Sequence, residues 1–282
     1  MSRALELSAS ASDRDAPAKP SRRAFYLRRA HSLSGVVPLG GFLVLHLWTN
    51  ASALGGQERF DDAVADIQRI PALGLLEVFG IFLPLTFHAV YGVVLARASR
   101  PNAGAYPFAR NWLYVLQRVT GIIAFVFVMG HLWELRVQKL LFGMSARSFY
   151  PTLAAHMSGE WGGVAWIAVA YLVGVLACVF HFANGLFTAS IAWGLTVTRA
   201  AQTRLGVACG VLGGALALLG TATVLAFATG MTFIPGRDRV EPKPCGKTET
   251  TAASSATVDA GASATTPPFP PGQSRPNQTP ED

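Results

Sequence analysis

Charge is what this sequence lacks most. Of its 282 residues only 14% are Asp, Glu, Lys or Arg, where an ordinary soluble protein carries about 25%. Apolar residues reach 51% and the mean hydropathy is +0.37. A soluble domain cannot cover its surface with so few charges, so most of the middle of the chain must face lipid. Cysteine is scarce as well. Cys178, Cys209 and Cys245 lie far apart with no C-x-x-C pairing, which excludes an iron–sulfur or zinc framework, a secreted disulfide scaffold and, without C-x-x-C-H, a covalently attached c-type haem. Cys178 and Cys209 read as small apolar helix residues. The first thirty residues hold no short apolar region with a small-residue cleavage site, so no cleaved signal peptide is expected.

What charge there is sits in particular places. The net charge is +7, and seven of the 23 Lys and Arg precede residue 30, including Arg22, Arg23, Arg28 and Arg29 just ahead of the first apolar run. That position marks the cytoplasmic side of a first membrane helix and argues against a nucleic-acid module. Five apolar stretches, near 33–54, 71–97, 112–137, 162–191 and 204–232, are long enough to cross a bilayer, which takes roughly 20 helical residues. Pro38 and Pro84 fall inside spans and predict kinks, because neighbouring helices can satisfy the freed carbonyls. The 55–70 connection, with Glu58, Asp61, Asp62 and Asp66 among apolar residues, reads as a short surface helix, and 98–111 as a turn-rich loop. Lys and Arg favour the N-terminal segment and the 97–110 and 192–204 loops over the other two connections, which places the N-terminus inside and, with five spans, the C-terminus outside. The expected organisation is a basic, largely disordered arm over 1–25, an all-α membrane bundle of five transmembrane helices over 26–232, and a disordered Pro/Thr/Ser/Ala-rich tail over 233–282.

Four of the six histidines, His46, His88, His131 and His181, fall one in each of the first four spans. An ionisable group at membrane depth is costly and needs an internal partner, so it is a functional candidate. One such histidine alone is often only an interhelical hydrogen bond; four in consecutive helices ask for a shared purpose. Counting residues from the span boundaries, at about 1.5 Å per residue, puts His46 and His131 in the outer half and His88 and His181 in the inner half. A weak repeat supports this pairing: Ser34-Gly35-Val36-Val37 before His46-Leu47-Trp48 matches Thr120-Gly121-Ile122-Ile123 before His131-Leu132-Trp133, and Phe87-His88 with Gly92 matches Phe180-His181 with Gly185. Two opposed imidazoles inside a helical bundle suit a haem iron held from both faces, a six-coordinate site that moves electrons. No Asp and no cysteine cluster accompanies the histidines in the spans, and Glu77 is the main acidic exception there.

These residues carry a resemblance. The strings Leu27-Arg28-Arg29-Ala30-His31-Ser32-Leu33-Ser34-Gly35, Leu45-His46-Leu47, His88-Ala89-Val90-Tyr91-Gly92, Leu116-Gln117-Arg118-Val119-Thr120-Gly121, His131-Leu132-Trp133-Glu134, Phe180-His181-Phe182-Ala183-Asn184-Gly185 and Trp193-Gly194-Leu195-Thr196-Val197-Thr198 resemble the five-helix, two-haem cytochrome b subunits of succinate:menaquinone oxidoreductases. The resemblance runs from about Tyr26 to about residue 230. It implies two haems b: a distal, outer, low-potential one on His46 and His131, and a proximal, inner, high-potential one on His88 and His181. It also implies His31, Ser32 and Arg28 as propionate partners, with Arg29 beside them. A menaquinone site is implied near the outer haem, with Trp48, Asn50, Glu77, Glu134 and His156 as candidates. The partners it implies are a flavoprotein and an iron–sulfur subunit on the cytoplasmic face of a bacterial inner membrane. With neither a G-x-G-x-x-G flavin fingerprint nor a cysteine cluster, this chain is expected not to oxidise succinate alone.

Two other readings stand beside this one. A menaquinol:fumarate reductase subunit would share the cytochrome, but related two-haem fumarate reductases carry a glutamate two residues before the helix-four ligand, where this chain has Val179. A proton-coupled transporter would use the histidines as a relay and would be colourless. Gly206, Gly210 and Gly214 form a small-residue face on the last span, suited to packing against the bundle or against a second protomer in a homodimer of the complex.

Overall fold

The computed structural model describes residues 21–99 and 102–234. Most of the basic arm and nearly all of the C-terminal tail therefore lie outside the described residues, although 22–25 already belong to the first helix. Five helices are long and apolar enough to span a membrane: α1 (Arg22–Gly55), α3 (Leu73–Arg97), α4 (Ala109–Phe142), α6 (Trp166–Ala192) and α7 (Arg199–Thr229). Two shorter helices, α2 (Gln57–Gln68) and α5 (Phe149–Ser158), follow α1 and α4. Among the described residues the only strand-like pairing is a bridge between Trp161 and Val164. The chain is an all-α, multi-pass membrane protein.

Local chemistry explains where these helices begin and end. Ser21 caps α1 by accepting from the Ala24 N–H at 3.2 Å, so the helix extends past the apolar span into the arginine-rich segment. Thr198 caps α7 in the same way through the Ala201 N–H, and Gly230, at φ 68°, ends it in the left-handed conformation that suits glycine. Helix α6 starts at Trp166, later than hydropathy alone predicts, because Gly162 and Gly163 turn with φ of 62° and 76°. The acidic 55–70 connection does form a surface helix, α2. Helix α5, with few charges to announce it, was not anticipated.

Three of the long helices contain a π turn. One spans Gly35–Leu39 and holds Pro38; another spans Val78–Phe82, two residues before Pro84; the third spans Leu132–Val137, directly after His131. A π turn inserts one residue into a helix and loosens its hydrogen-bond ladder, which lets the first two prolines be accommodated without breaking the spans.

The chain enters α1 at the end of the bundle that carries the N-terminal arginines, here the basic end; α2 and α5 cover the opposite, far end. Leu47, Val179 and Leu216 knit α1, α6 and α7 together at mid-height. At the far end Ala53, Phe60, Leu153, Met157, Tyr171, Val224 and Phe227 form a second buried cluster that pins α2 and α5 onto α6 and α7. Neither α3 nor α4 contributes a fully buried residue. Helix α3 leans on α1, α4 packs along α6, and the two touch each other only sparsely.

Candidate functional site

The bundle brings the four spanning histidines together in two pairs. Near the far end the rings of His46 (α1) and His131 (α4) have centroids 5.7 Å apart with planes at 75°. Nearer the basic end His88 (α3) and His181 (α6) are 6.1 Å apart at 88°. Each pair joins helices that are not sequence neighbours, one across α1 and α4 and the other across α3 and α6.

The hydrogen bonds behind the rings decide which nitrogen is free. Nδ1 of His88 lies 3.0 Å from the His31 carbonyl oxygen, and Nδ1 of His181 lies 2.9 Å from that of Gln117. A carbonyl can only accept, so in both histidines Nδ1 carries the proton and Nε2 keeps its lone pair. His131 reaches the same state by another route. Its Nδ1 is 3.2 Å from the Tyr171 hydroxyl, and that hydroxyl donates its single proton to Glu134, so it accepts from Nδ1–H. His46 is held differently: the Asn50 side-chain nitrogen lies 3.3 Å from its Nε2 and donates to its carbonyl at 2.8 Å, while Phe42 stacks on the ring.

Glycines make room for two of these rings. A Cβ on Gly35 would lie 2.4 Å from Cε1 of His88, and one on Gly121 would lie 2.8 Å from Cε1 of His181. No real side chain tolerates such a contact, so each ring rests on bare backbone of the helix that precedes its own long helix. The second half of the repeat extends the parallel, because His31 and Gln117 each lie four residues before the glycine. Each supplies the carbonyl for its histidine, and each places a side-chain nitrogen 3.2–3.3 Å from where a Cβ of Gly92 or Gly185 would be. Gln117 also donates to the His181 carbonyl and accepts from Asn184. Its supporting role, like that of Tyr171, escaped the sequence reading; for Gln117 the signal was its register with His31.

The donor set fits a porphyrin-held iron. Two imidazoles bonded to one metal at about 2 Å each would have ring centroids roughly 6 Å apart, close to both observed separations. Among the described residues no group of three or more His, Cys, Asp or Glu is placed to hold a bare metal ion. His88, His181 and His131 each keep Nε2 for an axial bond of the kind a macrocycle-bound iron makes, while Nε2 of His46 lies beside the Asn50 amide.

The remaining candidates divide by position. His31 stacks on His88 at 4.1 Å and 9°, and its Nε2 is buried without a hydrogen-bond partner, an orphan suited to a carboxylate beside the basic-end pair. Ser32 accepts from the Trp193 indole at 2.7 Å. Arg28 is exposed, whereas Arg29 is partly covered and lies over the Phe25 and Trp193 rings. At the far end Glu77 is paired with Arg136, and His156 donates to Glu134. Trp48 is 74% exposed and faces outward, as expected of an interfacial aromatic. Gly210 and Gly214 meet nothing within 4 Å where a Cβ would stand, while Gly206 and Gly213 approach Phe187 and Ala183 of α6; the small-residue face lines an open groove between α6 and α7.

No family model matches the chain. Over 205 residues it is 43% identical to the succinate dehydrogenase cytochrome b558 subunit of Bacillus subtilis (strain 168), an alignment that covers 73% of this chain and 98% of that protein.

Proposed function

The chain belongs to the succinate dehydrogenase cytochrome b subunits, and from that premise we propose that it anchors the complex in a bacterial cytoplasmic membrane and conducts electrons between an iron–sulfur subunit and menaquinone. It is thus part of an oxidoreductase complex and binds haem b. In this reading His88 and His181 hold one haem near the basic, cytoplasmic face, and His46 and His131 hold a second near the outer face. When bound, the two haems supply one-electron transfer across the membrane.

The chain's own residues do the holding. The carbonyls of His31 and Gln117 fix the Nδ1 protons of His88 and His181 and turn Nε2 toward the metal position. Gly35 and Gly121 let those rings lie against backbone. His31, with its free Nε2, is the propionate partner best supported; Ser32 and the arginines Arg28 and Arg29 stand on the same face. At the far end Asn50, Glu77, Glu134 and His156 are the candidates for the proposed menaquinone site, with the outward-facing Trp48 at its margin. Reduction of a quinone takes two protons along with two electrons, and His156, exposed to water and bonded to the part-buried Glu134, is placed to relay them. Glu77 is held by Arg136.

The N-terminus is inside and the C-terminus outside in this orientation, and the flavoprotein and iron–sulfur subunits dock on the basic face. Succinate oxidation is the favoured direction because Val179, where a glutamate would mark the fumarate-reducing relatives, is buried among Leu47 and Leu216. The observation that carries the proposal is the pair of imidazole pairs at different heights of one bundle. Its test is a reduced-minus-oxidised spectrum with a haem assay on the purified complex. Two haems b per chain are expected, with one lost on His88→Ala. A colourless protein, or retention of both haems in that variant, would overturn it.

A further inference from the structure

The two histidine pairs differ in what stands behind them. At the basic end both rings donate to backbone carbonyls, which are neutral. At the far end His131 donates to Tyr171, Tyr171 donates to the Glu134 carboxylate, and the other oxygen of that carboxylate receives His156. Tyr171 is buried, and Phe127 packs against both its ring and that of His131, so the connection between ring and carboxylate is shielded from water. Glu134 itself is three residues beyond His131, inside the π turn that follows it, with its carboxylate against Tyr171. The other nearby acid, Glu77, is already paired with Arg136.

We propose that Glu134, acting through Tyr171, is a positioning residue that makes His131 the more electron-rich ligand and so sets the far-end haem at the lower potential of the two. A negative charge two hydrogen bonds from an imidazole raises its basicity as a ligand, and a more basic ligand favours the oxidised, more positive iron. In a shielded setting the effect is not dissipated by solvent. A backbone carbonyl has a dipole but no net charge, so His88 and His181 receive a weaker push.

The inference rests on the reading of His46 and His131 as a haem pair, and the experiment separates the two. Redox titration of the purified complex, followed at the haem bands, is performed for the parent protein and for Glu134→Gln, Tyr171→Phe and the double variant; His88→Ala, which keeps only the far-end haem, identifies that midpoint. Both single variants are expected to raise the far-end midpoint and leave the basic-end one in place. The double variant is expected to shift no further than the larger single one, because both changes cut one connection. A far-end midpoint unchanged in both single variants with two haems still bound, an equal shift of both midpoints, or additive shifts would overturn the assignment. A parent protein with fewer than two haems would instead sink the haem reading itself.

Discussion

A histidine ring can serve as an axial ligand only if its neighbours leave it one free nitrogen and a place to lie. Here both conditions rest on single atoms. The Gly121 position has no space for a methyl group, since a Cβ would stand 2.8 Å from His181. Gly121→Ala is therefore expected to push the ring off its seat, at a cost of about 1–3 kcal/mol for overpacking, and to alter or abolish the absorbance of the basic-end haem while sparing the other. Gly41→Ala is the matched control, because a Cβ there meets nothing within 4 Å; its spectrum and thermal stability should be unchanged or slightly improved. A spectrum unaffected by Gly121→Ala would contradict the seat. The four histidines were legible in the sequence, because membrane depth makes any ionisable residue conspicuous, whereas Gly35 and Gly121 stood there only as members of the repeat. Tyr171 was not: one tyrosine in an apolar helix has no mark until the fold brings it to Glu134.

At the scale of a helix, the π turns account for an irregularity in the repeat. Gly35 precedes His46 by eleven residues, whereas Gly121 precedes His131 by ten. An extra residue in a regular helix would turn His46 by about 100° away from His131. The π turn at Gly35–Leu39 lies inside the longer interval and absorbs that residue, so both histidines point into the bundle. Deleting Pro38 is thus expected to convert the turn to ordinary helix and keep both haems. Deleting Leu45, an exposed residue of the regular segment beyond the turn, should rotate His46 relative to the glycine and lose the far-end haem. Haem content and spectra of the two deletions check this, and equal loss in both would show that the π turn has no such role. Helix existence was readable from hydropathy and length. The π turns were not, since they depend on which residues the neighbouring helices leave room for.

For the whole molecule, the far end is closed by water-facing elements. Phe60 of α2 is 3% exposed and meets Tyr150 and Phe227 ring to ring at 5.7 and 5.5 Å. Phe60→Ala should cost about 3–5 kcal/mol, lower the melting temperature of the solubilised complex and disturb the far-end haem before the basic-end one; simultaneous loss of both signals would argue that the cap has no separate stability. The sequence by itself determined that this is a five-span helical membrane protein, that the four histidines of its spans form two levels, and that it resembles the di-haem anchors. Those features follow from hydropathy, periodicity and residue counting along one chain. Only the tertiary structure decided which partners stand behind each ring: carbonyls at one end, a tyrosine and a carboxylate at the other. Hydrogen bonds between helices depend on rotation and crossing of whole segments, and no one-dimensional pattern encodes those to the accuracy of an ångström.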